Sequence, residues 1–392
     1  MIAPQPFFTP RGTPFSVYYR TQAIGDMGYH VDLLTYGQGN DVALPGLRII
    51  RIPRLAFLGD IRIGPSPLKL VLDVLIFLRM VRLLITRRYV ALHVHEEAAF
   101  FATLVKPIFR YKLIYDMHSS LPQQLENFNY TKASWLRRLF ERLERWSLKH
   151  SDGVITICPA LRDYVHTLLG NVPHHFLIEN SVFDPVKLVA SDTKEGDVGD
   201  RLVAEIQRFK GDRQLAVYAG TLEHYQGVDI LIKAMVTVRE RGNLCRLAII
   251  GGTAEQIGQC RQLARQEHVE DLIWLHPRVP QTTAKAALAL ADVLVSPRAT
   301  GTNTPLKIYE QLASGKPLVA TNIYSHTQVL NEAVCFLVEP VPQAFGQGLV
   351  SACTQPDAVA SKTVEALELY ERHYSRAAYE SKLRALFAVV GI

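Results

Sequence analysis

"RATGTNTPLKIYEQLASGKPLVAT", residues 298–321, follows the apolar run "ADVLVSPR" (291–298) and reads as strand, loop, helix and strand. Thr304 can serve as an N-cap, and Pro305 stands at the first helical position, where its missing N–H costs nothing. Gly315 is a natural left-handed cap at the far end, and Pro317 begins the next strand. A helix between two strands makes a βαβ unit. Its loop then lies at the carboxyl edge of a parallel sheet, where open α/β folds bind ligands. The small residues of "GTNT" let an anion approach the backbone, and the N–H groups and dipole of the helix start favour negative charge, so a diphosphate would fit. Lys307 and Glu310, three apart, share one helix face, with Ile308 and Leu312 on the other. A ribose on that diphosphate could present its hydroxyls to Glu310, although such a pair on a helix also reads as an ordinary surface pair.

Working outward, the same design recurs. "YAGTLEHYQGVDILIKAM" (218–235) is a strand, a small-residue turn at Gly220 and Thr221, and a helix; "AIIGGTAEQ" (248–256) repeats it with Gly251 and Gly252. Further runs at 213–220, 245–252, 271–279, 316–321 and 333–338 complete a parallel sheet, and Val279, closing "DLIWLHPRV", is placed with the ligand-facing residues. An earlier series, at 30–37, 47–53, 90–96, 111–118 and 152–158, alternates with helical patterns in the same way. Strands separated by helices imply parallel sheets with right-handed crossovers. The expected fold class is therefore α/β, with two Rossmann-like, doubly wound domains. The turn-rich, charged stretch around 180–190 places the boundary, giving domains 1–183 and 184–365 and a helical tail 366–392 that packs back on the first. Only "MIA" precedes the proline-rich loop, where a buried strand needs about five residues. Either that strand is truncated or the protein starts upstream of Met1.

The chain has 392 residues, too many for one core, and its 48% hydrophobic and 20% charged residues exclude disorder. Five widely spaced cysteines, without C-x-x-C pairs, point to a reducing compartment and away from structural zinc. No basic-then-apolar leader heads the chain, so a cytoplasmic location is expected. Of the net charge of +6, residues 1–180 carry 21 Lys+Arg against 14 Asp+Glu, and the remainder is nearly balanced. That asymmetry suggests an anionic partner for the first half, a phosphorylated or lipid-linked acceptor or an acidic membrane surface, and equally fits a solvated face; no nucleic-acid partner is expected. "LVLDVLIFLRMVRLLI" (70–85) is interrupted by Asp73, Arg79 and Arg82 and is shorter than the ~20 residues that span a bilayer. It reads as a mostly buried helix or as a membrane-surface segment. Helix 134–150 sets Phe140, Leu143 and Trp146 on one stripe and its arginines elsewhere, and has the same two readings. His93, His95, Glu96 and Glu97 offer no closed ligand set, so no metal site is expected.

Together "YAGTLEHYQGVDILIKAM", "AIIGG", "SPRATGTNTPLKIYEQLASGKPLVAT", "PFFTPRGTPFS" and "YDMHS" resemble the retaining GT-B glycosyltransferases of family 4, over nearly the whole chain. The resemblance implies two facing Rossmann-like domains, the second holding a nucleoside-diphosphate sugar and the first supplying the acceptor side. It makes Glu310 the second glutamate of the family's Glu-x7-Glu signature and the ribose ligand. The first glutamate is replaced by Thr302, so its contact to the donor sugar falls to Thr302, Asn303 and Thr304. Where many members bracket the diphosphate with Arg and Lys, this chain has Thr221 and Gln226, which leaves the charge to Lys307 and Arg298. His118 in "YDMHS" matches the active-site histidine that faces the donor sugar. Arg11, Gly12 and Thr13 match the loop that closes over phosphates or acceptor. The implied activity is sugar transfer from a nucleoside-diphosphate sugar to an acceptor hydroxyl, as in cell-envelope glycolipid or polysaccharide synthesis, with no cofactor and no metal. The rivals are a nucleotide-sugar 2-epimerase of the same fold and a non-catalytic nucleotide-sugar-binding module.

Overall fold

Each run read above as a strand becomes one. The computed structural model describes residues 1–9, 12–54, 67–120, 134–180, 183, 186 and 195–392. The chain divides into two units, Met1–Ser191 with Arg376–Ile392, and Asp192–Ser375.

The first unit runs β1 (Ile2–Ala3), α1 (Gly12–Asp26), β2 (Val31–Thr35), β3 (Leu47–Arg51), α2 (Pro67–Thr86), β4 (Ala91–His95), α3 (Ala98–Phe109), β5 (Lys112–Met117), α4 (Ser134–His150), β6 (Gly153–Thr156), α5 (Pro159–Leu169) and β7 (His175–Leu177). Its seven strands are ordered β3-β2-β1-β4-β5-β6-β7 and pair in parallel throughout. Strand order reverses direction at β1, so the switch point lies between β1 and β4. β1 has two residues, yet it fixes the centre: Ile2 is in register with Leu34 of β2 and with Val94 of β4.

Right-handed crossovers place α2 to α5 on one face of this sheet. There Ile76, Met80, Ala102 and Leu161 pack on Val94, Leu113 and Tyr115. The opposite face carries Val17 and Tyr19 of α1 and Leu383 and Leu386 of the carboxyl-terminal helix, on Ile114 and Ile155. Side chains alternate along a strand. Since Leu113, Tyr115 and Met117 face the first layer, Asp116 faces the second, as do His93 and His95 of β4, whose neighbours Leu92 and Val94 are in the first. The period of two thus gathers charged and imidazole groups beneath α1.

The second unit runs α6 (Glu195–Lys210), β8 (Gln214–Ala219), α7 (Val228–Glu240), β9 (Cys245–Ile250), α8 (Ala254–Gln266), β10 (Ile273–His276), α9 (Gln281–Ala289), β11 (Val293–Ser296), α10 (Lys307–Leu312), β12 (Leu318–Thr321), α11 (Tyr324–Thr327), β13 (Phe336–Val338), α12 (Pro342–Thr354) and α13 (Pro356–His373). Its parallel sheet is ordered β10-β9-β8-β11-β12-β13. The switch point lies between β8 and β11, and β9, β8 and β11, the strands that end in small-residue turns, are its adjacent centre. α14 (Arg376–Val390) then returns to the first unit, where Lys382 donates to Glu179 at 2.6 Å and Arg376 pairs with Asp26.

α2 departs from the reading of a mostly buried helix. Leu72, Ile76 and Met80 are buried, but Leu70, Val71, Val74, Leu78 and Ile85 are exposed, so the helix is apolar on two faces. In α4, Leu148 is in the core while Arg142, Arg145 and Lys149 are exposed. No described helix is long and apolar enough to cross a membrane.

Candidate active site

Two glycines show how closely the second unit's turns converge. A Cβ on Gly251 would lie 1.7 Å from the Gly220 carbonyl oxygen, and one on Gly227, whose φ is +67°, would lie 2.0 Å from that of Pro297. Only glycine lets the β9 turn sit against the β8 turn and the α7 start sit against the β11 loop. Gly220 donates to the Ile250 carbonyl at 3.0 Å, and the Thr221 carbonyl accepts the Tyr218 hydroxyl at 2.6 Å. Gly252, at a φ of +68°, passes against Leu222 and Gln256. Val279 lies partly buried against the core of Leu202 and Ile206.

The start of α10 differs from the sequence expectation. The helix begins at Lys307 and has six residues, Leu306 precedes it in helical conformation, and no side chain caps it. Pro305 and Leu306 accept from the N–H groups of Ile308 and Tyr309 at 3.0 and 3.2 Å, so the first turn closes by bonds to the third residue along. Thr304 is therefore not the N-cap; its hydroxyl is buried with no hydrogen-bond partner among the described residues. A helix this short has little dipole, so any anion held here would need side-chain cations. Gly315, at a φ of +67°, does take the left-handed conformation at the far end.

Those side chains are Lys307 and Arg298. The Lys307 ammonium lies 4.2 Å from the centre of the Tyr218 ring, buried and with no hydrogen-bond partner among the described residues. Burial, and then the nearby Arg298, push it down to about 7. The Arg298 guanidinium, itself lowered by burial, stacks 5.2 Å over Tyr225 and donates from Nε to the Thr300 carbonyl at 2.8 Å. The backbone of Arg298 is pinned by Thr321, whose hydroxyl donates to its carbonyl at 2.5 Å. Beneath the loop, His326 Nδ1 donates to the Thr321 carbonyl at 2.9 Å and Nε2 accepts from Ser296 at 3.0 Å. Burial lowers this imidazole to about 3, so it is a neutral brace between the ends of β11 and β12.

Thr302 is exposed and offers its carbonyl to Gln328; Asn303 is half-buried. The Gln226 side-chain oxygen is buried with no hydrogen-bond partner among the described residues, so this turn places a polar atom where a charge was sought. Glu310 does not pair with Lys307. Its carboxylate lies 3.7 Å from Lys285 of α9, and burial raises its pKa while Lys285 opposes the rise. Sequence reading missed Lys285 because nothing local to α9 marks it; only packing brings it to Glu310.

In the first unit His118 directly follows β5, with Nε2 3.2 Å from Asp116 Oδ1. The other oxygen, Oδ2, accepts from Arg20 Nε at 3.0 Å and lies 2.8 Å from His93 Nε2. Arg20 and Asp116 are both fully buried. Burial by itself raises the Asp116 carboxyl, but Arg20 and the histidines outweigh it and hold the group well below the ordinary carboxylate range. Burial keeps His93 and His95 below the ordinary imidazole value. Gly12 and Thr13 open α1 on the surface, beyond the short β1; Arg11 lies outside the described residues.

The absence of a closed ligand set around His93 and His95 needs correction, because β5 brings Asp116 beside them and the ligand atoms of the three lie within 4.8 Å of one another. Arg20 and His93 already engage the Asp116 oxygen that a cation would need, which favours a charge-paired brace. Glu96 and Glu97 lie beyond the end of β4, and burial, with Glu97 nearby, pushes the Glu96 carboxyl up to about 7.

Comparison with known proteins accords with this geometry. The family described as Glycosyl transferases group 1 matches residues 213–355, and that described as Glycosyl transferase 4-like domain matches residues 16–179. No curated protein matches the chain. Among solved structures, the sucrose-phosphate synthase of Thermosynechococcus elongatus is similar at TM-score 0.70 and 17% identity, over 98% of this chain and 95% of that one. HepE of Anabaena, in complex with UDP, is similar at TM-score 0.70 and 14% identity over 99% of both chains. The catalytic domain of starch synthase IV from Arabidopsis thaliana, bound to ADP and acarbose, is similar at TM-score 0.69 and 13% identity, over 100% of this chain and 99% of that one. Two family matches that between them take in every strand but β1, on a backbone shared with these enzymes, show that the chain belongs to the group 1 glycosyltransferases and has the GT-B fold.

Proposed function

We propose that this protein transfers a sugar, with retention at the anomeric carbon, from a nucleoside-diphosphate sugar to an acceptor hydroxyl. One observation carries the reading: at the switch point between β8 and β11 a buried ammonium with no hydrogen-bond partner among the described residues, Lys307, lies beside the Arg298 guanidinium. A buried cation of this kind is costly unless an anion neutralises it, and a diphosphate supplies two negative groups. The nucleoside diphosphates bound by HepE and by starch synthase IV support the same ligand class.

In this mechanism the two cations stabilise the charge that develops on the leaving diphosphate, and a diphosphate oxygen takes the acceptor proton on the same face. Glu310 orients the ribose through its hydroxyls. Thr302, Asn303 and Thr304 meet the donor where the family's first glutamate is missing, with Gly220, Thr221, Gly252 and Val279 shaping the rest of the donor site. His118 is assigned to the transfer step and not to nucleotide binding; Arg11, Gly12 and Thr13 are assigned to the acceptor or the phosphates. No metal and no cofactor take part. The acceptor, or the surface presenting it, is anionic or lipid-linked and meets the basic first unit.

Calorimetry with UDP-, ADP- and GDP-sugars, followed by turnover with acceptors in EDTA, tests the proposal. Release of nucleoside diphosphate supports the transferase. Interconversion of sugars would make the protein an epimerase, and binding without turnover a donor-binding module.

A further inference from the structure

We propose that the outward face of α2, with the neighbouring part of α3, docks on a bilayer of acidic lipids. This rests on the reading above that the acceptor is presented at an anionic surface, and assigns that contact to residues. α2 satisfies its packing through Leu72, Ile76 and Met80. On its opposite side Leu70, Val74, Leu78 and Ile85 stay 63, 57, 57 and 71% exposed. At 3.6 residues per turn these positions fall on one stripe, where a helix of a soluble domain sets polar residues. Leu104 and Ile108 of α3, one turn apart, are 62 and 73% exposed. Grouped exposure of this kind marks an interaction surface, whereas single exposed aliphatics do not.

Charge selects the occupant. Exposed arginines stand within or beside the stripe: Arg82 on α2, Arg88 just past its end and Arg110 at the end of α3. The two helices hold one carboxylate between them, Asp73, which is partly buried and accepts the Tyr36 hydroxyl at 2.7 Å. The stripe itself is aliphatic, without the tyrosines, tryptophans and hydrogen-bonding groups that give protein interfaces their specificity. Leucine, valine and isoleucine beside arginine suit the boundary between head groups and acyl chains. A helix that is already packed on a sheet lies on the membrane and does not cross it.

The test is sedimentation of the whole protein with vesicles of phosphatidylcholine alone or mixed with phosphatidylglycerol, without sugar nucleotide, at low and high salt. Wild type should pellet with the acidic vesicles roughly tenfold more than with neutral ones, and less at high salt. Leu78→Glu with Ile85→Glu should abolish pelleting, and Arg82→Glu with Arg88→Glu should cut it severely. All these residues are exposed, and unchanged circular dichroism and nucleoside-diphosphate binding would show that the variants fold. Equal pelleting of wild type and variants, or none by wild type, would overturn the proposal. So would a wild-type dimer in ultracentrifugation that the glutamate variant abolishes, which would make the face a protein interface. Attachment without nucleotide binding would sink the transferase reading instead and leave this one standing.

Discussion

At the carboxyl edge of the first unit's sheet, charge is already paired: Asp116 holds Arg20 and two imidazoles within 3.2 Å, and together these partners outweigh the effect of burial on the carboxylate. At the corresponding edge of the second unit, the Lys307 ammonium is buried with no hydrogen-bond partner among the described residues, and its nearest charged influence is another cation. In the first arrangement the carboxylate is matched by a guanidinium, while Arg20 Nη1 and Nη2 and both His95 ring nitrogens are buried with no hydrogen-bond partner among the described residues. The second lacks a counter-charge, which suits the binding of a diphosphate. On the proposed reading, the same architecture carries a brace in one half and an anion receptor in the other.

Breaking the brace should have the largest effect. Asp116→Asn leaves Arg20 buried without its counter-ion, and should lower unfolding stability by about 3–5 kcal/mol in urea titrations near neutral pH. In the wild type the folded-state pKa of Asp116 is depressed, so its contribution is present above the ordinary carboxylate range and is lost as pH falls below it. A variant as stable as wild type would show that the pair is not what holds β4, β5 and α1 together.

Breaking the receptor should cost catalysis and not stability. Lys307→Met should lower kcat by about 10²–10³, the usual consequence of removing one group that stabilises developing charge, with a smaller change in KM. Equal folding stability would confirm that the ammonium is not needed to hold the fold. Glu310→Ala should weaken nucleoside-diphosphate binding by about 1.5–3 kcal/mol in calorimetry, the value of a hydrogen bond to a charged group. Unchanged affinity would remove the ribose role and leave Glu310 as the partner of Lys285.

The strands of both sheets were legible because apolar runs alternate with helical patterns, and the glycine and threonine turns mark the carboxyl edges; the strand orders, and with them the switch points, came from the structure. Lys307 and Arg298 could be singled out within one short motif. What sequence could not show depends on contacts far apart along the chain. Asp116 meets Arg20 ninety-six positions away, and Glu310 lies 3.7 Å from Lys285, which stands in a different helix. The N-cap assignment at Thr304 failed because cap propensity is local, whereas the first turn of α10 closes on the carbonyls of Pro305 and Leu306. The second apolar face of α2 was hidden for the opposite reason: a helix hydrophobic nearly all round looks like one that is simply buried.

The central claim, that Lys307 receives the diphosphate, is tested most directly by titrating wild type and Lys307→Met with a nucleoside diphosphate from pH 6 to 9. The ligand's own ionisation cancels in the ratio of the two affinities. Because the free ammonium titrates near 7, the wild-type advantage should be greatest at pH 6 and shrink by up to about tenfold per unit as pH rises above 7. It should level off once pH passes the higher pKa that the bound anion imposes. A ratio constant across the whole range, or no difference between the two proteins at pH 6, would contradict the account.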